Sequence, residues 1–556
     1  MKTFAAVAFV RRAFTPVLVD RFALAIVLIL ALLVRFYAIS VPAIWNDEAY
    51  SLLLARETPE RIWALTARDV HPPLYYMLLH YWVSVWGDSA LSARALSALA
   101  DLGTLLLCIK LMSLIATRRA TWIAALLLAL LPISVRYSQE VRMYSLLGCW
   151  LMAATVALVC WARVAEQGRF AVIYVLLMSA AFYTHYFAGL CVLVHWLFWW
   201  LSRNNRPGMA ITLGQWLLAN LTVVVLYLPW VPHLIAQLAN TTGLGWIKPV
   251  TLQEALSLVW QFTLMGNGAS QASAWHLLPL ALLLFCATTV IADYSLKRPF
   301  RFLPIGYFFV PLTTLYVFAL FLPLFVPRYL VFSAPAIAMI AALALDGIWR
   351  RRALLATVGL LLFVVVQLNG LTAVYRQTDG LSGTNYRRDT EFGQLVKRLN
   401  QNALPGDEVI IANPFWYPTF TYYDTTGIDP RFEVRSSIDD YLKLTGRGLL
   451  SLIKDPLASI YIDGITVLDC RSQRVWWITD ADLHADRPQF AKDRTPVLTI
   501  HGGNISAYLF TADSVPASAQ ASTYCTLKPR PLPAAQNCPP APSATSASKT
   551  RHSLPR

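Results

Sequence analysis

The chain has 556 residues, of which 57% are hydrophobic and only 14% are charged. Soluble domains carry about a quarter charged residues, so this composition excludes a soluble globular protein and indicates a membrane protein. The net charge of +15 would suggest nucleic-acid binding in a soluble chain, but cytoplasmic loops of membrane proteins collect Lys and Arg. We therefore attribute the excess to topology and expect no nucleic-acid partner.

Eleven apolar stretches are of about the length that crosses a bilayer. The first follows Arg21 and has no small-residue cleavage site after it, which predicts a membrane helix and not a signal peptide. The stretches lie at residues 22–41, 94–115, 120–135, 145–162, 170–186, 188–202, 212–232, 275–292, 303–323, 329–346 and 354–372. The predicted fold class is an α-helical polytopic membrane protein with its transmembrane domain over residues 1–375.

Basic residues precede the first stretch and then cluster in every second connection, as at Arg118 and Arg119, at Arg203 and Arg206, and at 350–352. The positive-inside rule therefore predicts a cytoplasmic N-terminus. An odd number of spans then places the segment after residue 375 outside. We expect a multi-pass protein of the cytoplasmic (inner) membrane with an extracytoplasmic C-terminal domain.

Three of the outward segments are long. The first, residues 42–93, is rich in Trp and Tyr, which favour the membrane interface, and it predicts two surface helices near 58–68 and 73–86. The second, residues 233–274, contains a Gly-rich stretch at 265–268 that is typical of a mobile loop.

The third outward segment has the composition of a soluble domain over residues 385–513. Its pattern predicts a small α/β domain with a helix at 390–402 and strands at 408–412, 459–468, 474–479 and 505–510. Residues 514–556 are rich in Pro, Ala and Ser and are predicted to be disordered, because they cannot bury a core.

Five of the eight cysteines lie in or beside the apolar stretches, where a thiol usually serves packing. Cys470, Cys525 and Cys538 would lie outside, in an oxidising compartment. Because Cys525 and Cys538 enclose a short Pro-rich loop, a disulfide could join them. No CxxC motif or Cys/His cluster indicates a zinc site.

Polar residues collect at the outer ends of the apolar stretches. Asp47 and Glu48 follow the first stretch between apolar neighbours, either as functional carboxylates or as solvated loop acids or a helix cap. His71 precedes a double proline that starts a helix, where it could face an anion or serve a structural hydrogen bond.

Glu140 and Arg142 occupy the next outward connection, and residues two apart on a helix do not face each other, so we expect separate partners. Arg328 is a cation between the ninth and tenth stretches and could bind a phosphate or snorkel toward the headgroups. Arg94 and Asp101 are two helical turns apart and are predicted to form a structural pair outside the site.

Four motifs in this order resemble the GT-C membrane glycosyltransferases, in particular the group of the protein O-mannosyltransferases and the bacterial aminoarabinose (lipid A) transferase. They are Trp45 to Tyr50, His71 to Leu74, Glu140 to Tyr144, and Arg328 to Leu330. The resemblance implies transfer of a sugar from a polyprenyl-phosphate carrier to an extracytoplasmic acceptor. His71 departs from the pattern, because the aminoarabinose transferases have a lysine there.

The residues that follow from the motifs are Asp47 and Glu48 as catalytic residues and, as substrate-binding residues, His71, Glu140, Arg142, Arg328 and Tyr329. The leaving group is a stabilised anion, so a base and a cation suffice. Asp47 would accept the proton of the acceptor, and Arg328 with His71 would hold the phosphate, with inversion at the anomeric carbon.

No cofactor is required by this chemistry, although Asp47 and Glu48 could bind Mg²⁺ or Mn²⁺. The acceptor could be a protein hydroxyl, lipid A or another envelope glycan. The alternative function is a transporter or flippase of a lipid-linked or envelope intermediate. Transporters more often place polar groups near the bilayer midplane and contain repeats or broken helices, which the sequence does not suggest.

Overall fold

The computed structural model describes residues 16–164, 166–203, 211–239, 247–266, 274–433, 448–453, 459–461, 474–480, 483, 487–488, 491 and 494–511. The tail at 514–556 lies outside these ranges, as do Cys470, Cys525, Cys538 and part of the Gly-rich stretch. The disulfide and the disordered tail therefore stay predictions.

Each of the eleven predicted stretches coincides with helical structure, because in lipid an α-helix satisfies its backbone hydrogen bonds within one segment. The corresponding helices are α1 (Pro16–Phe36), α5 (Ala90–Ile115), α6 (Arg118–Ala129) with α7 (Pro132–Ser138), α8 (Tyr144–Arg163), α9 (Gly168–Thr184), α10 (Ala188–Arg203), α11 (Leu213–Tyr227), α15 (Leu278–Ala292), α16 (Arg298–Ala319), α17 (Pro335–Trp349) and α18 (Ala353–Tyr375).

Within the described ranges, six helical segments are long and apolar enough to cross a membrane, and up to eight if each of two bent helix pairs is one span. The chain is thus a multi-pass membrane protein, and its total of eleven spans stays a prediction. Five cysteines of the helices listed above, Cys108, Cys149, Cys160, Cys191 and Cys286, are free thiols.

One bent pair is α6 with α7, which meet at 53° because Pro132 cannot continue the hydrogen-bond ladder. Arg35 of α1 donates to the carbonyl of Ala129 at 2.9 Å, where α6 ends, and pairs with Asp101 at 2.6 Å. The predicted pair of Arg94 with Asp101 is therefore wrong. Two helical turns separate these residues by about 11 Å, and each finds a nearer partner on another element.

The segment predicted to be the first outward one contains three helices: α2 (Asn46–Ala55), α3 (Pro59–Thr66) and α4 (Leu74–Trp86). The last two confirm the predicted helices near 58–68 and 73–86, and their place at the membrane surface stays a prediction. The first was not predicted. It places Asp47 and Glu48 in its N-terminal turn, where negative charges interact favourably with the helix dipole.

Between the membrane helices lie the short helices α12 (Val231–Leu238), α13 (Leu252–Leu256) and α14 (Leu258–Thr263). The 3₁₀-helices of this half are Leu228–Trp230, Ala274–Leu277 and Pro327–Ser333. Pro327–Ser333 meets α17 at 47° and forms the second bent pair.

The C-terminal part contains a six-stranded mixed sheet with the strand order β3-β2-β1-β4-β6-β5. The strands are β1 (Glu408–Ile411), β2 (Arg431–Glu433), β3 (Ile460–Tyr461), β4 (Arg474–Thr479), β5 (Leu498–Gly502) and β6 (Ile505–Thr511). Apolar clusters cover both faces, with Trp476 in one and Trp477 in the other. The structure confirms the predicted strands at 408–412, 474–479 and 505–510, whereas β2 and β5 were missed.

The helices of this part are α19 (Thr384–Asp389), α20 (Phe392–Asn402) and α21 (Tyr417–Tyr423), with 3₁₀-helices at Pro414–Trp416 and Gly448–Leu452. Helix α21 packs against α2. Tyr423 accepts a hydrogen bond from the backbone N–H of Ile44 at 3.0 Å, and Tyr422 donates to the carbonyl of Asp88 at 3.0 Å. The sheet-bearing part therefore rests on the outward segment that carries Asp47 and Glu48.

Candidate active site

Glu48 lies in the first turn of α2 and is fully buried. Its carboxylate accepts two hydrogen bonds from Arg94 of α5, at 2.8 Å from Nε and 2.7 Å from Nη2. The backbone N–H of Val141 donates a third at 3.0 Å. Arg387 of α19 brings its Nε within 3.9 Å. Glu48 therefore has little capacity left for a substrate or a proton.

The ionisation of Glu48 reflects two opposing effects. Burial favours the protonated form, but Arg94 and Arg387 favour the carboxylate more strongly and lower its pKa to about 2. A carboxylate with so low a pKa is a poor acceptor for the proton of a hydroxyl. The geometry favours a positioning role, in which Glu48 fixes the first turn of α2 and hence its neighbour Asp47.

Asp47 belongs to the same turn, but its side chain keeps 18% of its surface exposed. Its Oδ2 lies 3.8 Å from Nη1 of Arg328 and 4.0 Å from Nη2 of Arg142. These distances are too long for hydrogen bonds. The carboxylate is thus flanked by two cations and stays accessible to an incoming group, as a general base requires.

Arg328 lies in the 3₁₀-helix Pro327–Ser333 and is buried. Its Nη1 donates to the hydroxyl of Ser382 at 3.0 Å. Tyr329 is also buried and stacks on Phe187 with ring centroids 4.7 Å apart. The bent pair therefore directs one fixed guanidinium and one aromatic ring toward Asp47 and its surroundings.

Arg142 is the second cation beside Asp47. Its Nη1 donates to the hydroxyl of Ser51, one turn further along α2, at 3.4 Å. Glu140 pairs instead with Arg136 at 2.5 Å. The predicted separate partners of Glu140 and Arg142 are confirmed.

Glu140 belongs to a group of buried ion pairs. Arg136 also lies 3.5 Å from Asp379, and Arg387 donates to the carbonyl of Gln139 at 3.0 Å. We call this group the buried charge cluster; its members are Glu48, Arg94, Arg136, Glu140, Asp379 and Arg387. Three carboxylates and three guanidiniums balance one another, so the contacts of Glu140 are those of a structural residue.

His71 lies before α4 with its Nδ1 at 3.4 Å from Oδ2 of Asp69. Because a carboxylate only accepts, Nδ1 carries the proton and Nε2 keeps a lone pair in the neutral ring. Burial, together with Arg142 and Arg328, lowers the pKa of His71, although Asp69 acts in the opposite direction. His71 is therefore neutral at pH 7.

His185 is a member of the site that the sequence analysis missed. It lies between α9 and α10, is buried, and places its ring 5.5 Å from that of His71 and 5.3 Å from that of Tyr329. His185 shares the sequence feature that indicated other residues of the site, because it is a polar residue at the predicted outer end of an apolar stretch. A single histidine in an apolar stretch is too weak a sequence signal to predict a site residue.

Asp47 and Glu48 do not fit a shared divalent cation. Successive residues of a helix point about 100° apart, and here Glu48 faces Arg94 while Asp47 faces Arg142 and Arg328. Cations beside both carboxylates oppose the binding of another cation. In the part of the chain that the structure describes, no group of three or more His, Cys, Asp or Glu residues is placed to hold a metal ion.

A cavity of about 490 Å³ opens beside Arg328. Its wall includes Pro327 and Ser382, which is the hydrogen-bond partner of Arg328. The other residues that line it are Glu254, Gln261, Phe325, Gly380, Leu381, Gly383, Asn385 and Tyr386. The cavity therefore contacts the sequence neighbour and the hydrogen-bond partner of Arg328.

No family model and no curated protein matches the sequence. Solved structures do share its fold. ArnT from Cupriavidus metallidurans bound to undecaprenyl phosphate has a TM-score of 0.61 at 14% identity, over 89% of this chain and 99% of that chain. The apo form of the same protein gives a TM-score of 0.60 at 15% identity, over 90% and 99%.

The arabinofuranosyltransferase AftD from Mycobacteria has a TM-score of 0.50 at 13% identity, over 88% of this chain and 39% of that chain. At such identities the similarity concerns the fold. ArnT and AftD are GT-C glycosyltransferases, so the resemblance that the four motifs predicted is confirmed at the level of the fold.

Proposed function

We propose that the chain is a membrane glycosyltransferase that transfers a sugar from a polyprenyl-phosphate carrier to a hydroxyl acceptor. The observation that carries the proposal is the accessible carboxylate of Asp47, which lies within 4.0 Å of both Arg142 and Arg328. The fold shared with a protein that was solved bound to undecaprenyl phosphate supports a lipid phosphate as part of the donor.

Asp47 acts as the general base. It takes the proton of the acceptor hydroxyl while the hydroxyl oxygen attacks the anomeric carbon of the donor sugar. The bond between that carbon and the phosphate oxygen breaks, and its electron pair leaves with the polyprenyl phosphate. Because attack and departure occur on opposite faces, the anomeric configuration inverts. The products are the glycosylated acceptor, the phosphate monoester and a protonated Asp47.

Arg328 holds the phosphate of the donor from the side of the cavity. Its planar guanidinium suits a phosphate, and negative charge on the leaving oxygen grows as the sugar departs. A fixed cation stabilises that charge without reorganising at the moment of reaction. Tyr329 packs beside it, and Ser382 keeps the guanidinium in place. Arg142 orients Asp47 from the other side.

The reaction takes place on the outer face of the cytoplasmic membrane in this proposal, with a protein hydroxyl, lipid A or another envelope glycan as acceptor. The alternation of basic connections supports this orientation. Reporter fusions after Arg206 and after Gly406 test it. We expect a cytoplasmic signal from the first and an external signal from the second, and the reverse would contradict the orientation.

The test of the function is an assay with purified full-length protein in nanodiscs and radiolabelled polyprenyl-phosphate sugars. We expect release of polyprenyl phosphate that depends on an acceptor and transfers the label with inverted configuration. Movement of the intact lipid-linked sugar across a liposome bilayer without cleavage would support the transporter alternative and contradict the proposal. EDTA should leave turnover unchanged, because no described group of side chains is arranged for a metal.

A further inference from the structure

Arg142 and three buried side chains near it carry polar atoms that have no hydrogen-bond partner among the described residues. These atoms are Nε of Arg142, Nε2 of His185 and the hydroxyls of Tyr76 and Tyr144. Each of the four residues is at least nine-tenths buried. Buried polar groups are normally paired, so four unpaired ones in one place point to a ligand.

The four side chains lie next to the base and next to one another. The ring centroids of Tyr144 and His185 are 6.0 Å apart. Tyr76 interacts electrostatically with Arg142, Tyr144 and Asp47. A ligand can approach from the side where Asp47, His71 and Arg328 keep 18%, 11% and 9% of their side-chain surface exposed.

Two of the four polar atoms can only donate. The ring of His185 accepts the backbone N–H of Phe187 on Nδ1 at 3.2 Å, so in the neutral imidazole Nε2 carries the proton. Nε of Arg142 has no lone pair to offer. The two tyrosine hydroxyls can donate or accept. The group as a whole therefore needs a ligand that supplies acceptor oxygens.

We infer that Tyr76, Arg142, Tyr144 and His185 bind the sugar of the donor and select a sugar that presents hydroxyl groups over one that presents an ammonium group. This inference rests on the proposed function. A hydroxyl oxygen accepts from Arg142 and His185, whereas an ammonium group only donates. Arg142 and Arg328 also repel a second cation.

The nearby carboxylates do not favour an ammonium group. Asp69 is bound to His71, and only 7% of its side chain is exposed. Asp47 lies between two guanidiniums and is needed as the base. The four side chains that would contact the sugar therefore offer it mainly hydrogen-bond donors.

Binding to the full-length protein in nanodiscs tests the inference. The probes are undecaprenyl phosphate without a sugar and matched pairs of the same carrier bearing glucose, mannose or arabinose, each with its amino-sugar counterpart. We expect the hydroxyl form of at least one pair to bind about tenfold tighter, the factor that 1.4 kcal/mol represents, and no amino form to bind tighter than its partner.

Substitutions of single residues test which side chains bind the sugar. Tyr144→Phe and His185→Gln should reduce the affinity gained from the sugar and leave the affinity for the bare carrier unchanged. Tyr183→Phe is the matched control, because it removes a hydroxyl that donates to Leu226 at 3.0 Å away from the group, and it should behave as the wild type.

Two results would overturn the inference: amino sugars that bind as tightly as their partners in every pair, or variants that weaken the bare carrier as much as the sugar-bearing one. Failure of the wild type to bind the bare carrier at all would instead contradict the proposed function. The two failures are therefore distinguishable in one experiment.

Discussion

Asp47 and Glu48 are adjacent in the sequence but lie in opposite environments. Glu48 is fully buried and accepts three hydrogen bonds between 2.7 and 3.0 Å. Asp47 is partly exposed, and its ion-pair contacts are at 3.8 and 4.0 Å. A saturated carboxylate holds structure in place, whereas a loosely held one can accept a proton and release it.

The same contrast between closely and loosely paired side chains separates two groups of charged residues. In the buried charge cluster, Arg94 pairs with Glu48 at 2.7 Å and Arg136 pairs with Glu140 at 2.5 Å, and Arg387 lies 3.9 Å from Glu48. Asp47, Arg142 and Arg328 form a more loosely paired group, with contacts of 3.8 and 4.0 Å and a partly exposed carboxylate. Substitutions in the first group should therefore act on stability, and substitutions in the second should act on turnover.

The largest expected effect is on turnover in Asp47→Asn. Positioned base catalysis is worth about 10² to 10⁴ in rate, so kcat should fall by that factor, because the amide keeps the shape and loses the basic oxygen. The melting temperature should change little, since the carboxylate makes no close hydrogen bond in the described part of the chain. A variant with near wild-type kcat would contradict the assignment.

Glu48→Gln should mainly lower the stability of the folded protein. Breaking a buried pair leaves the charge of Arg94 without its carboxylate and costs about 3–5 kcal/mol, measured as a loss of folded protein and a lower melting temperature. Glu60→Gln, at an exposed position of α3, is the matched control and should melt like the wild type. A well-folded but inactive Glu48→Gln protein, together with an Asp47→Asn protein of near wild-type turnover, would move the catalytic role from Asp47 to Glu48.

The pH dependence of stability follows from the same pair. The pKa of Glu48 falls from 4.5 to about 2 on folding. The stabilisation is therefore fully present above about pH 4.5 and is lost as the pH falls toward 2. The difference in melting temperature between wild type and Glu48→Gln should shrink over this window, and a constant difference would contradict the ion-pair account.

Arg328→Ala should raise the KM for the lipid donor and lower kcat. Arg328→Lys should recover part of the activity, because the charge remains while the planar fork is lost. Steady-state kinetics with varied donor concentration separate the two parameters. Unchanged kinetics in both variants would assign Arg328 to membrane anchoring.

The smallest effect concerns His71. Because its pKa is lowered, the ring is neutral at pH 7 and offers no second N–H to a phosphate. Donor affinity should therefore increase as the pH falls below 6.5, by about tenfold, the equivalent of one charge-assisted hydrogen bond of at least 1.5 kcal/mol. His71→Lys should bind the donor tightly and without this pH dependence. An equal pH dependence in both proteins would exclude His71 as its source.

Much of the fold could be predicted from the sequence, because apolar length and alternating basic connections are local signals. The strands β2 and β5 were missed, since one has three residues and the other follows a stretch rich in charged residues. Helix α2 was missed because its first turn contains two acids, which also suit a loop.

The residues of the site were easier to predict than their pairings. Asp47, His71 and Arg328 come together as expected, because all three lie in connections that the sequence places on the same side of the membrane. The partner of Glu48 could not be predicted, since Arg94 is 46 residues away on another helix and the two side chains meet only in the folded chain.

The central claim is that Asp47 removes the proton of the acceptor. Azide carries no proton to remove, so it tests this role directly as an alternative acceptor. Asp47→Asn should lose transfer to a hydroxyl acceptor and recover turnover with azide, giving a glycosyl azide of inverted configuration. An equal loss with both acceptors would show that Asp47 does not act on the proton of the acceptor.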